Sequence, residues 1–104
     1  MSLFGATPEK IEKWTAAGKV RKLIGALSSE DAVVRRMAAE GLGKIGSPAV
    51  LAYCRDNASS MEENVRWHIT QILGIIGTPE AMKILENVQD PASKISMRIK
   101  KQTP

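Results

Sequence analysis

Few residues in this chain have the types and spacing that catalysis or metal binding requires. The 104 residues include a single histidine, His68, and a single cysteine, Cys54. A cysteine nucleophile needs a neighbouring base and a metal needs further ligands at short spacing, yet these two residues fall on different predicted helices. The sequence also lacks a Gly-rich phosphate loop, a nucleophile elbow and the HExxH and CxxC motifs. We therefore expect a protein that is not an enzyme and that needs no cofactor or metal.

The chain repeats itself with a short period. Val34-Arg35 and Val65-Arg66 each begin a stretch that ends Leu-Gly-x-Ile-Gly-[Ser/Thr]-Pro, and the two stretches lie 31 residues apart. A period of this size is typical of units that cannot bury their apolar faces alone and must stack on one another. Aliphatic residues recur at three- and four-residue spacing, which predicts helices and no strand. The fold class expected is all-α.

Helix starts and stops are well marked. Thr7, Ser47, Thr78 and Asp90 each precede a proline, which favours the start of a helix, and residues 60–63 have the spacing of a capping box, with a looser version at 28–31. Glycines at positions 18, 46 and 77 suit helix ends. About seven helices are predicted, near residues 8–17, 19–28, 31–45, 48–57, 61–76, 79–89 and 92–101.

These helices group into one domain that spans residues 1–104. A leading helix at 8–18 is expected to cap the array, and antiparallel pairs follow at about 19–46, 47–77 and 78–101. The last pair is incomplete, because the chain given stops before the Leu-Gly-x-Ile-Gly stretch could recur. Trp14 is expected to cover the apolar face of the first pair.

Composition and charge limit the kinds of partner that the chain could have. The lone cysteine excludes an intramolecular disulfide and fits a reducing, cytoplasmic location, and no run of apolar residues is long enough for a membrane span. The net charge is +4, but residues 1–90 hold eleven basic and eleven acidic side chains. The excess therefore lies in four residues near the carboxyl terminus, Lys94, Arg98, Lys100 and Lys101. This distribution predicts a neutral body with a basic end.

The stretch Val-Arg-x-x-Ala-Ala-x-x-Leu-Gly-x-Ile-Gly, complete at 34–46 and weaker at 65–77, resembles the short HEAT-like repeat of bilin-lyase type. In the second copy Ile69 and Thr70 replace the alanines. The resemblance covers about residues 19–95 and implies an α-α superhelix used mainly for protein contacts. It also implies that Arg35 and Arg66 bond the preceding turn or a nearby acidic residue, such as Asp31, Glu62 or Glu63.

Second helices of such repeats usually line the concave side of the array, so we expect their outward residues to form one strip. The strip comprises Arg36, Met37, Glu40, Lys44, Trp67, His68, Gln71, Ile75, Met97, Arg98 and Lys101. Trp67 lies near its middle with charges at both ends, as expected for a binding hot spot, although a packing role for the indole is equally open. His68 flanks the apolar face of its helix. Gly43 and Gly74 are expected to allow close helix approach, and Cys54 to be a buried apolar residue.

The leading functional hypothesis is a non-catalytic scaffold that holds a protein segment on this strip. One alternative is nucleic-acid binding through the basic carboxyl-terminal helix, and another is an accessory factor to an enzyme such as a bilin lyase. Self-association through the exposed ends of a short array is a further expectation, which sedimentation at two concentrations tests.

Overall fold

The computed structural model describes residues 5–88, and within this range it contains six helices and no strand. The helices are α1 (Pro8–Ala16), α2 (Val20–Ala26), α3 (Ala32–Ile45), α4 (Pro48–Asp56), α5 (Glu63–Ile76) and α6 (Pro79–Asn87). The all-α fold class is thus confirmed. The predicted helix at 92–101 lies outside the described residues.

Both predicted threonine caps and all three glycine stops are confirmed. Thr7 Oγ1 accepts a hydrogen bond from the backbone N–H of Lys10 at 3.3 Å, and Thr78 Oγ1 accepts one from Ala81 at 3.2 Å. The chain turns at glycines with positive φ of 67°, 53° and 65°, which are Gly18, Gly46 and Gly77. Since only glycine adopts this region without strain, these positions end the helices that precede them.

The predicted capping boxes are wrong in detail. Asp31, not a serine, caps α3, because its Oδ1 accepts from the backbone N–H groups of Val33 and Val34 at 2.8 and 3.4 Å. Ser60 Oγ accepts instead from the N–H two residues on, at Glu62, so α5 begins at Glu63 with no side-chain cap. Such short serine turns compete with capping for the same hydroxyl. Ser47 also makes no cap bond.

Helix α3 is the centre of the packing. It contacts α1, α2 and α5, while α5 contacts α3 and α6. The core consists of small and aliphatic side chains, and its largest fully buried members are Ile11, Leu23, Val34, Leu42, Val50, Cys54, Ile69, Ile72 and Leu73. Each such aliphatic side chain contributes about 1.5–3 kcal/mol on burial. The core therefore lies between repeat units as much as within them, which ties the helices of successive units together.

The apolar face predicted for α5 is confirmed, since Ile69, Ile72 and Leu73 are buried and Val65 and Ile76 pack against them. Trp14 also packs against the core, with Lys22 Nζ 5.6 Å from the centre of its ring. Within residues 5–88 no helix has the length and apolar composition needed to cross a bilayer.

Candidate interaction surface

The first unit places four strip residues along α3. Arg36, Glu40 and Lys44 are exposed, and Met37 is half-buried. Arg36 Nε lies 3.9 Å from Glu40 Oε1, a long contact between two solvated side chains that contributes little to stability. These side chains are therefore available to a partner without breaking a strong internal bond.

Beside these residues, α1 and α3 line an open cavity of about 310 Å³. Ile11, Thr15 and Ala16 form one wall, and Met37 and Gly41 form the other. Glu12, Glu40 and Lys44 stand at the same cavity. The cavity thus combines apolar atoms with charged groups and has room for a large side chain from another molecule.

The second unit places four strip residues along α5, at different depths. The side chains of Trp67 and Ile75 are 50% and 45% exposed, whereas His68 is only 5% exposed. Gln71 is half-buried. The Trp67 and His68 rings meet edge to face, with centroids 5.5 Å apart and planes at 74°. The buried imidazole therefore supports one edge of the indole while half of the indole stays in contact with solvent.

The two second helices, α3 and α5, approach each other closely at a glycine. A Cβ added to Gly43 would lie 2.7 Å from both Cβ and Cγ2 of Ile75, a distance that real Cβ atoms do not show. The predicted close approach is confirmed here. At Gly74 an added Cβ would meet nothing within 4 Å among the described residues, so the same prediction receives no support at that position.

Glycine has a second packing role that sequence reasoning missed. A Cβ on Gly41 would collide with Thr15 of α1, whose Oγ1 donates to the Ile11 carbonyl at 2.8 Å. Gly41 therefore lets α1 lie against α3 and form the cavity described above. The only signal in the sequence is a second glycine two residues before Gly43, and it does not reveal which helix approaches.

The repeated arginines brace the turns between helices, as predicted. Arg35 Nη1 donates to the carbonyl of Ser29 at 2.7 Å, and Arg66 Nη1 donates to that of Met61 at 2.6 Å. Each bond returns from the first turn of the second helix to the loop before it. These charge-assisted bonds fix the angle at which α3 and α5 leave their loops, and hence where the strip residues lie.

Polar atoms without partners concentrate on α5. Within the described residues, both ring nitrogens of His68 and Oε1 of Gln71 are buried and form no hydrogen bond, and the remaining example is Ser47 Oγ. His68 adjoins two cavities, of about 430 and 280 Å³, and Arg35 lines both of them. Burial lowers the pKa of His68 and the Arg35 guanidinium lowers it further, against an opposing effect of the Leu27 backbone.

Cys54 is fully buried, as predicted, and burial raises the pKa of its thiol to about 11. Burial, and the neighbouring Cys54, also raise the pKa of Tyr53. A thiol that stays protonated is a poor nucleophile and a poor metal ligand. Among residues 5–88 no three His, Cys, Asp or Glu side chains form a group that could hold a metal ion.

The described part of the strip is therefore a surface on two adjacent helices. Trp67 and Ile75 are exposed on α5, the charged residues are exposed on α3, and His68 lies beneath. The remaining strip residues, Met97, Arg98 and Lys101, lie outside the described residues.

Stacked helix pairs, with glycine-mediated contact between second helices and turn-bracing arginines at the repeat period, define a helical-repeat protein. A sequence model described as HEAT repeats matches residues 20–97, which is most of the chain. The chain belongs to the HEAT repeat family. A comparison with curated proteins and one with solved structures each gave no match. The bilin-lyase type of repeat stays a prediction.

Proposed function

We propose that the chain is a non-catalytic, cytoplasmic protein-interaction module that holds a partner segment on the strip formed by α3 and α5. HEAT repeats are commonly scaffolds for protein contacts, so the family favours this class of function. The strip is the part of the surface we assign to the partner. This assignment goes beyond the family and rests on the side chains of this chain.

The observation that carries the proposal is the exposure of the Trp67 side chain. Half of the indole is exposed, although burying an aromatic ring of this size is strongly favourable. The edge contact with His68 restricts the ring on one side, which reduces the side-chain entropy lost on binding. A large, preordered and incompletely buried tryptophan has the properties of an interface hot spot.

The cavity between α1 and α3 supports the same proposal from the other side of the strip. It offers about 310 Å³ beside Met37, with Glu40 and Lys44 at the cavity. A partner segment that places one apolar side chain here and contacts Trp67 further along would use both helices of the strip. Of the charged strip residues on α3, Arg36 and Glu40 offset each other. Lys44 leaves the described part of the strip with a net charge of +1. So small a net charge favours an uncharged or mixed-charge protein segment over a polyanion such as nucleic acid.

Site-specific photo-crosslinking tests the proposal in cells. A photoreactive amino acid replaces Lys44, which is exposed on the strip, and in a matched control it replaces Lys83, which is exposed on α6. We expect a discrete protein adduct from position 44 that disappears when Trp67→Ala is added, and no such adduct from position 83. An adduct that survives Trp67→Ala, or one that forms equally from both positions, would contradict the proposed surface.

A further inference from the structure

The side chain of His68 occupies an environment that favours its neutral form. It is 5% exposed, and neither ring nitrogen has a hydrogen-bond partner within the described residues. The residue one repeat period earlier is Met37, an apolar side chain that needs no partner. The imidazole therefore fills a position in α5 where the preceding unit has a thioether, without gaining the bonds that a buried histidine usually makes.

The groups that face His68 come from every neighbouring element. Arg35 of α3 brings a positive charge, and Tyr53 of α4 stays protonated because its pKa is raised. Ile24 of α2 and the turn that follows it, through Leu27, Ser28 and Ser29, contribute no charge, although the Leu27 backbone favours the protonated ring.

At the start of α5, Glu62 and Glu63 line the adjoining cavities, but both side chains are exposed and neither bonds the ring. Burial and the Arg35 charge thus both oppose protonation of the ring, and together they outweigh the Leu27 backbone, which favours it.

We propose that His68 makes the α3–α5 seam, the contact surface between these helices, a pH-sensitive joint that is closed when the imidazole is neutral and loosened when it is protonated. Protonation would place a second positive charge in the buried seam beside Arg35, with the Leu27 backbone as the one opposing influence. Trp67 and Ile75 lie on the same helix, so loosening the seam would also displace the α5 half of the strip. Only this last consequence rests on the proposed function.

The direction of the effect follows from proton linkage. The pKa of His68 is lowered in the folded chain, whereas an unfolded chain has the ordinary value of about 6.5. Below that pH the unfolded state binds a proton that the folded state does not, so stability is complete above about pH 6.5 and falls as the pH drops. The folding equilibrium constant should fall by up to about tenfold per pH unit until the folded-state pKa is reached.

The pKa of His68 can be measured directly, because His68 is the single histidine of the chain. An NMR titration of the imidazole C–H signals in the full, wild-type chain should give a pKa below the unfolded value. Urea unfolding at pH 7.5, 6.5 and 5.5 should show the fall in the folding equilibrium constant. This fall should be absent in His68→Gln. His68→Met, the residue found at the equivalent position of the first unit, serves as a second non-titrating variant.

A wild-type pKa at or above about 6.5, or a loss of stability at acidic pH of equal size in the variants, would overturn the proposal. If neither variant folds, the wild-type titration and unfolding series still decide it. No partner is needed for any of these measurements. A failure of the strip to bind protein therefore leaves the seam result intact, and a pH-insensitive seam leaves the strip proposal intact.

Discussion

Ile75 of α5 packs directly on the backbone of Gly43 in α3, where an added Cβ would lie 2.7 Å from Ile75 Cβ and 3.1 Å from Cδ1. We predict that Gly43→Ala destabilises the chain, because the methyl group forces the two helices apart. Overpacking of this kind costs about 1–3 kcal/mol, which exceeds the gain of up to about 1 kcal/mol from replacing a helical glycine. Urea unfolding measures the difference.

Gly74→Ala is the matched control for that substitution. It lies at the equivalent position of the next unit, where a Cβ would meet none of the described residues within 4 Å. We expect no loss of stability and a gain of up to about 1 kcal/mol. Equal effects of the two substitutions would show that the α3–α5 contact at Gly43 is not tight.

The start of α3 is predicted to be more strongly capped than the start of α5. Asp31 Oδ1 accepts two backbone N–H bonds, whereas Glu62 makes no cap bond. Asp31→Ala should therefore lower the free energy of unfolding by about 1 kcal/mol. Glu62→Ala should stay within about 0.5 kcal/mol of the wild type.

Glu62→Asp extends this test in the opposite direction. A shorter carboxylate at this position should supply the bond that Asp31 makes and add up to about 1 kcal/mol of stability. Thermal or urea unfolding of all three variants checks the set. Losses of equal size at Asp31→Ala and Glu62→Ala would contradict the assigned caps.

These helix ends show what local sequence signals determine. Gly46 and Gly77 end their helices because a left-handed residue is required there, and that requirement is visible in the sequence. The Ser60 hydroxyl could either cap a helix or close a short turn, and in the structure it closes the turn. Helix α5 therefore begins at Glu63 instead of near residue 61. The sequence therefore predicts that α5 exists, but it places the start of the helix too early.

The candidate site was likewise predictable only in part. A spacing of 100° per residue places Trp67 and Arg36 outside the core face, and both are exposed. The depth of His68 depends on tertiary packing, which brings the ring to a cavity that Arg35, Leu27 and Tyr53 from three other parts of the chain also line. Helical periodicity cannot supply such contacts, because they depend on how far one helix slides along the next. The cavity between α1 and α3 was missed for the same reason.

Cys54 should be almost inert in the folded chain. Burial raises the pKa of its thiol to about 11, so about one thousandth of it is ionised at pH 8. Ionisation alone makes its reaction with a disulfide reagent roughly two hundredfold slower than that of a free cysteine, and burial slows it further. The same reaction in denaturant is the control. Equal rates in the folded and denatured chains would show that Cys54 is accessible.

The contribution of Trp67 to partner affinity tests the proposed strip most directly. The dissociation constant of the crosslinked partner is compared for the wild type, Trp67→Ala and Met61→Ala. Met61 is a suitable control because its side chain is 72% exposed in the turn before α5, outside the strip.

We predict that Trp67→Ala weakens binding by about 2 kcal/mol or more while the free energy of unfolding changes by less than about 1 kcal/mol, and that Met61→Ala changes neither. Unchanged affinity together with a clear loss of stability in Trp67→Ala would contradict the claim, because the indole would then serve packing alone.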